Sequence, residues 1–374
     1  MKKTTIQKSR QFLLPALALC ILGGCLIPQI RHAKPQDGQE SGSYIVEAAE
    51  DPEAGEKEVR NVFSMDTVIT LTAYGQNRQK ALDMAEAEIL RLNDLLSTGL
   101  ADSEISRLNA SGSMILSDDT SAIVAKALEL YDSTDGLFDI TIYPLMQLWG
   151  FTSQQYHVPT AEELDDAVAR IGSDRIAYNS ESHEITLGEG QTIDLGGIAK
   201  GFTSARLMDI YRQAGISSGL VSLGGNVQCL NAKPDGSPYR IAIRDPFGTE
   251  LDFAATMEIT NEAIITSGGY ERYFTDEASG VTYQHIMNPR TGNPAKTDLA
   301  SVSITTQDGM LGDGLSTSLY IMGMEGAVSY WREHQEEFQM VLIDPDGNLF
   351  VTEGLKDQML TPERFSIITA GNSR

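Results

Sequence analysis

Cysteine is scarce in this sequence: three occur in 374 residues. Two of them, Cys20 and Cys25, fall in the first 25 residues, and Cys229 stands alone in the rest. A disulfide framework or a thiolate zinc site is therefore unavailable within one mature chain. Positive charge is scarce as well, with 28 Lys and Arg against 52 Asp and Glu and a net charge of −24. That balance argues against a nucleic-acid partner and against electrostatic adhesion to anionic lipid. Histidines do not cluster as zinc ligands would, and no repeat of fixed period is present. Neither G-x-G-x-x-G nor G-x-x-x-x-G-K-[ST] occurs, so the two common phosphate-binding loops are missing.

The first residues are of a different character. Lys2, Lys3, Lys8 and Arg10 make a basic start, and residues 12–22 form an apolar run too short to span a membrane as a mature helix. It ends in Leu22-Gly-Gly-Cys25, which resembles a bacterial lipobox. Residues 1–24 are thus expected to be a lipoprotein signal, cleaved before Cys25, whose thiol would be acylated (palmitate is the expected chain). An ordinary secretory signal with an incidental cysteine is the bland alternative. Residues 25–60 read as a lipidated N-terminus and flexible acidic tether, polar and poor in apolar residues. The expected location is the cell membrane, lipid-anchored and facing outside the cytoplasm. Residues 61–374 are enough for one large domain.

Within that domain, residues 62–74 alternate like a strand, with Met65-Asp-Thr67 inside it. Residues 81–96 carry apolar groups at helical spacing, and residues 97–109 read as a turn and a short helix capped at Ser103. Further helices are expected at 117–134 (capped by Ser117 or Asp118), 160–171 and 198–212. Strands dominate afterwards, at 220–223, 227–230, 240–244, 253–259, 263–266, 271–275 and 282–287. The C-terminal part adds a strand at 300–305, helices near 314–321 and 326–333, and a hairpin across Asp344-Pro-Asp-Gly347. Helices early and antiparallel strands late indicate an α+β domain of mixed, largely antiparallel sheets with packed helices.

The stretch Thr192-Ile-Asp-Leu-Gly-Gly-Ile-Ala-Lys-Gly-Phe202 organises the rest. A β-like run at 191–194 meets two glycines, and a helix follows. Paired glycines let backbone approach a ligand, and a helix N-terminus offers N–H groups to an anion. Asp194 and Lys200 add one charge of each sign. A tight packing turn explains the same residues equally well. Other segments are also dense in Gly, Asp, His and Thr: Thr134-Asp-Gly-Leu-Phe-Asp-Ile-Thr141, Ser222-Leu-Gly-Gly-Asn226, Thr266-Ser-Gly-Gly-Tyr-Glu-Arg-Tyr273, and His285-Ile-Met-Asn-Pro-Arg-Thr-Gly292. In Asp313-Gly-Leu-Ser-Thr317 a carboxylate and a hydroxyl stand four apart on one helix face. Singly, each has a structural account: Asp139 as a turn cap, His285 as a satisfied buried ring, Asp313 and Thr317 as a helix start with a back-bonded hydroxyl. Carboxylate, hydroxyl and carbonyl oxygens are, however, the hard ligands that Mg²⁺ takes when substrate phosphates complete its octahedron.

In this order, from about Phe63 to Met359, the segments resemble the ApbE family of FAD:protein FMN transferases, flavin transferases of bacteria. Met65-Asp-Thr, Ser103-Glu-Ile-Ser-Arg-Leu-Asn109, Gly136-Leu-Phe-Asp139, Asp194-Leu-Gly-Gly-Ile-Ala-Lys-Gly201 and Ser222-Leu-Gly-Gly-Asn226 carry the resemblance, with the two later motifs. It implies a Mg²⁺-dependent enzyme that splits FAD, releases AMP and links FMN to a Thr or Ser hydroxyl of an acceptor protein. Asp313 and Thr317 would hold the metal, joined by the Gly197 carbonyl and Ser316. Met65, Leu137, Phe138, Asp139, Asp194, Lys200 and Ile286 would line the FAD site. His285, Asp313, Lys200 and Arg290 would serve the chemistry, with the general base left open between His285 and an aspartate. Acceptors would be subunits of membrane redox complexes or extracellular reductases bearing a motif resembling D-G-[ST]-G-[AS]-T. An FAD pyrophosphatase using water, or a flavin-binding lipoprotein without turnover, remains as the alternative. One departure stands out: after Leu96-Ser-Thr98 the family commonly has an aromatic residue stacking on the nucleotide, and this chain has Gly99. Phe138 or Tyr270 are the expected substitutes.

Overall fold

The structure is a computed structural model that describes residues 43–45, 56–249, 251–360 and 365–371. Cys25 and the expected signal segment lie outside the described residues. Nine strands build the main sheet: β1 (Lys57–Ser64), β2 (Thr67–Tyr74), β3 (Gly219–Leu223), β4 (Asn226–Leu230), β5 (Ala263–Gly268), β6 (Ser301–Thr306), β7 (Gln339–Ile343), β8 (Leu349–Thr352) and β9 (Phe365–Ile368). They lie side by side in chain order, every pair antiparallel except β8 with β9. The sheet is thus a meander with long insertions, and the insertions carry the site.

Between β2 and β3 come six helices: α1 (Arg78–Leu96), α2 (Glu104–Ser111), α3 (Asp118–Ser133), α4 (Tyr143–Leu148), α5 (Ala161–Val168) and α6 (Ala199–Gln213). Between β6 and β7 runs α7 (Gly309–Glu333). Local chemistry starts several of them. Ser103, Ser117 and Thr160 each accept a backbone N–H three residues on, and Thr160 with Glu163 makes a full capping box. The helices cover one face of the sheet. A smaller sheet of residues 43–45, Tyr239–Arg244 and Phe253–Ile259 covers the other. Alternation in β7 divides the two: Met340 and Leu342 join the helical core, Val341 and Ile343 the core beneath the small sheet. The mixed, mostly antiparallel α+β architecture is as the sequence predicts.

Three local expectations change, and a fourth holds. Residues 62–74 are not one strand, because Met65 and Asp66 turn the chain with φ of 51° and 58° and β1 pairs back on β2. Both central residues at positive φ define a tight hairpin turn usually given to Asn-Gly. The Asn93 side chain accepts the Met65 N–H at 3.2 Å and helps hold this uncommon conformation. Residues 191–194 are extended but belong to no sheet. Asn109 both donates to the Ile193 carbonyl and accepts its N–H, while Asp194 N–H bonds Ile140 O, so a side chain does a strand's work. The two helices expected near 314–321 and 326–333 are both present within Gly309–Glu333, parted at Gly323, where φ is 76°. Lastly, β1 begins at Lys57 and residues 43–45 pair with 241–243, so ordered structure starts before the boundary expected at residue 61.

Candidate active site

A cavity of about 630 Å³ opens where the insertions meet. Met65, Leu137, Phe138, Asp139, Asp194, Gly197, Lys200, His285, Ile286, Asp313 and Thr317 all line it. Residues far apart in the chain therefore converge, and most of the residues singled out in the sequence stand in one wall. Two do not. Arg290 is on the surface, ion-paired with Asp135. Ser316 is fully buried behind the wall, donating to Asp313 O at 2.9 Å and paired with Ser267 Oγ at 2.8 Å.

Asp313 comes from the second turn of α7, past an N-cap at Asp308. Its Oδ2 accepts the Gly201 N–H at 2.8 Å, so the first turn of α6 spends a donor on a protein carboxylate and not on a bound anion. The two helices cross closely there: a Cβ on Gly201 would stand 2.2 Å from Gly309 O. Asp313 is buried and makes no ion pair among the described residues. Burial pushes its pKa up, opposed by the nearby Lys200 charge and the Gly201 hydrogen bond. A desolvated carboxylate without a salt-bridge partner, beside the Thr317 hydroxyl, is a site that gains from a hard cation. Among the described residues no three His, Cys, Asp or Glu side chains gather as a metal cage. The donor set thus fits an ion that takes few protein ligands and completes its shell with phosphate and water.

Asp194 sits at the turn before α6, where its Oδ1 accepts the Gly196 N–H at 2.7 Å. Burial raises its pKa; that hydrogen bond and the charges of Arg272 and Lys200 work against the rise. Lys200 places Nζ 3.3 Å from Gly196 O. Asp139 is more committed, since its Oδ1 accepts from Thr141 N, Thr141 Oγ1 and Ser173 Oγ. Its work is to fix the loop that presents Leu137 and Phe138. Gly197 is held under Phe138, whose Cε2 would be 3.3 Å from a Cβ there.

His285 is half-buried in the wall, with Nδ1 3.1 Å from the Arg272 carbonyl oxygen. A carbonyl only accepts, so that geometry assigns the proton to Nδ1 and leaves the Nε2 lone pair free. Burial first, then the Arg272 and Lys200 charges, push its pKa down to about 3, so the ring is neutral at physiological pH. Phe151 packs against it at 6.4 Å, part of an aromatic group with Tyr156, Phe274, Tyr283 and Trp149.

Arg272 and Asn226 also line the cavity and were not singled out from the sequence. Arg272 donates from Nη2 to Phe151 O at 3.0 Å, and its buried Nε has no hydrogen-bond partner among the described residues. Both lie within glycine-rich segments quoted above, and that context was the available signal. At Gly99 the wall is open: a Cβ there would meet only Ser97 Oγ, at 3.6 Å. Tyr143 lines the cavity beside it, its hydroxyl 3.5 Å from Thr98 O, whereas Tyr270 is outside the wall and lies under Arg244.

Residues 65–342 match the family model described as the ApbE family. A protein from Vibrio cholerae named FAD:protein FMN transferase is 34% identical over 271 residues, 70% of this chain and 80% of its own length. One of the same name from Escherichia coli is 32% identical over 268 residues, covering 70% and 75%. Among solved structures, the ApbE protein of Thermotoga maritima superposes with a TM-score of 0.75 at 27% identity, covering 81% of this chain and 99% of that one. The flavin transferase ApbE of Vibrio cholerae gives 0.73 at 28% identity, over 81% and 99%.

Proposed function

The chain belongs to the ApbE family, and we propose that it transfers the FMN moiety of FAD to a Ser or Thr hydroxyl of an acceptor protein, releasing AMP. The observation that carries this reading is the single cavity into which Asp194, Lys200, His285, Asp313 and Thr317 converge. Its volume of about 630 Å³ suits a ligand of nucleotide size. Met65, Leu137, Phe138 and Ile286 supply apolar surface for flat rings, and Lys200 and Arg272 supply positive charge for phosphates.

In the reaction, the acceptor oxygen bonds to the FMN-side phosphorus of FAD, and the bond from that phosphorus to the oxygen bridging to AMP breaks. Charge grows on the leaving phosphate and on the transferred group, where fixed cations are worth most. Lys200 is placed to stabilise it. The hydroxyl proton passes to Nε2 of His285, whose Nδ1 hydrogen is held by the Arg272 carbonyl. Burial is the main cause of the ring's depressed basicity, and an entering pyrophosphate offsets the lesser contribution of the Arg272 and Lys200 charges. Asp313, Thr317 and the Gly197 carbonyl would hold Mg²⁺, which when bound neutralises phosphate charge. Asp194 and Asp139 order the loops that present Lys200 and Phe138.

The acceptors are proteins bearing a motif resembling D-G-[ST]-G-[AS]-T, on membrane redox complexes or extracellular reductases. Leu22-Gly-Gly-Cys25 supports anchoring by lipid on the outer side of the membrane; Cys25→Ser should move the protein to the soluble fraction, and retention in the membrane would refute it. The test of the activity is incubation with FAD, Mg²⁺ and an acceptor bearing that motif, followed by mass spectrometry. An FMN-sized increase on the acceptor hydroxyl is expected; an acceptor of unchanged mass counts against the proposal.

A further inference from the structure

Asn226 is fully buried, yet neither its Nδ2 nor its Oδ1 has a hydrogen-bond partner among the described residues. A buried amide without partners lowers stability, and such groups are rare enough in folded proteins that each calls for a reason. This one belongs to the wall of the cavity.

The sheet settles which way it points. Val227 and Cys229 sit in the core beneath the small sheet, so by alternation Asn226 and Gln228 face the helices. Gln228 agrees, since its Oε1 would be 3.2 Å from a Cβ on Gly309 of α7. Ile265 is the cross-strand partner of Asn226, and its Cδ1 would be 2.6 Å from a Cβ on Gly312. Asn226 is therefore set against α7 at the level of Gly312 and Asp313. Gly224 and Gly225, at φ of 54° and 87°, make the two-residue turn just before it, at backbone angles that favour glycine.

We propose that Asn226 is a substrate contact, with Nδ2 donating to a pyrophosphate oxygen of the dinucleotide held beside Asp313 and Thr317. The proposal rests on the flavin-transferase reading and deepens it. Polar neighbours favour the pyrophosphate: Thr266, whose N–H bonds Gly225 O at 3.2 Å, and Ser267 follow Ile265, the cross-strand partner of Asn226, and both line the cavity with Asp313. A neutral donor also suits a place next to a carboxylate. A cation there would pair with Asp313, and a second carboxylate would repel the phosphates. The free Oδ1 is left to accept from water that enters with the ligand.

The full chain, wild type and with Asn226→Leu or Asn226→Ala, is titrated at fixed Mg²⁺ with FAD, ADP and riboflavin, alongside melting of the free proteins. A charge-assisted hydrogen bond predicts that FAD and ADP each bind about 10- to 100-fold more weakly to the variants. Riboflavin, which has no phosphate, binds unchanged, and the ligand-free Leu variant melts no lower than wild type. Undiminished FAD and ADP affinity overturns the proposal, as does an equal loss for riboflavin, which would place Asn226 at the ring. If Leu is not tolerated, the smaller Ala variant carries the same comparison. Failure of the wild type itself to bind FAD would instead refute the flavin-transferase reading.

Discussion

The Asp313 carboxylate accepts the backbone N–H of Gly201 at 2.8 Å, tying the second turn of α7 to the first turn of α6. This bond fixes the direction of an acid that has no salt bridge among the described residues. It also explains why glycine stands at 201 and at 309, where the helices touch backbone to backbone.

Asp313→Asn keeps an acceptor for Gly201 and removes the charge. Transfer should fall by about 10²- to 10³-fold, the usual loss when a key electrostatic group leaves an active site. The ligand-free variant should melt at or above the wild-type temperature, because a desolvated charge has been removed. Thr317→Val should be milder, since it takes away a neutral hydroxyl. Initial rates over a Mg²⁺ series, with melting curves, check both; full activity at unchanged Mg²⁺ dependence in Asp313→Asn would remove it from the metal site.

Gly201→Ala should be worse for the fold than its size suggests. The new Cβ would lie 2.2 Å from Gly309 O and 2.9 Å from Asp313 Cβ, and backbone cannot step aside as a flexible side chain can. A loss of about 1–3 kcal/mol is expected from overpacking, together with weaker Mg²⁺ dependence as Asp313 is displaced. A melting temperature equal to wild type would show that the helices separate more easily than their packing implies.

His285 makes a prediction in pH. Its folded-state pKa of about 3 lies below the ordinary 6.5, so under acid conditions the unfolded chain binds the extra proton first. Stability from this residue is thus intact above about pH 6.5 and falls as pH drops from there toward 3, by no more than about 1.4 kcal/mol per pH unit. His285→Gln should flatten that part of the stability profile and slow transfer by about 10²- to 10⁴-fold. Parallel denaturation series for the two proteins between pH 4 and pH 8, together with their transfer rates, decide it: identical slopes would mean the ring is protonated in the fold.

Gly99 has room for a side chain and its φ lies outside the left-handed region, so Gly99→Tyr should fold normally. A ring added there should tighten FAD binding by about fivefold, the lower end of stacking energies at about 1 kcal/mol. Weaker binding at unchanged melting temperature would mean that Tyr143 already fills the space.

Much of this was readable in local patterns. Ser103 and Ser117 announce their helices because a cap is a short-range device, and the α1 stripe follows helical spacing. Singly the site motifs allow a structural account; their order and its resemblance to a family pointed to a site, and most of their residues line one cavity. What escaped depends on partners distant in sequence. The Met65-Asp66 turn carries neither Gly nor Asn and is held by Asn93. Residues 191–194 look like a strand but find Asn109 in place of a neighbour. Arg290 sits in a motif of active-site character, yet Asp135 holds it on the surface. Asn226 and Arg272 gain their meaning only once α7 and the 273–284 hairpin are folded around them.

The central claim is that FMN goes to a protein hydroxyl and not to water. The direct measurement incubates the mature chain with FAD, Mg²⁺ and an acceptor, native or with its motif Ser or Thr changed to Ala, and quantifies AMP, free FMN and FMN-modified acceptor together. The account predicts AMP equal to modified acceptor, little free FMN, and loss of the adduct with the Ala acceptor. AMP matched by free FMN, with the native acceptor unmodified, would contradict it.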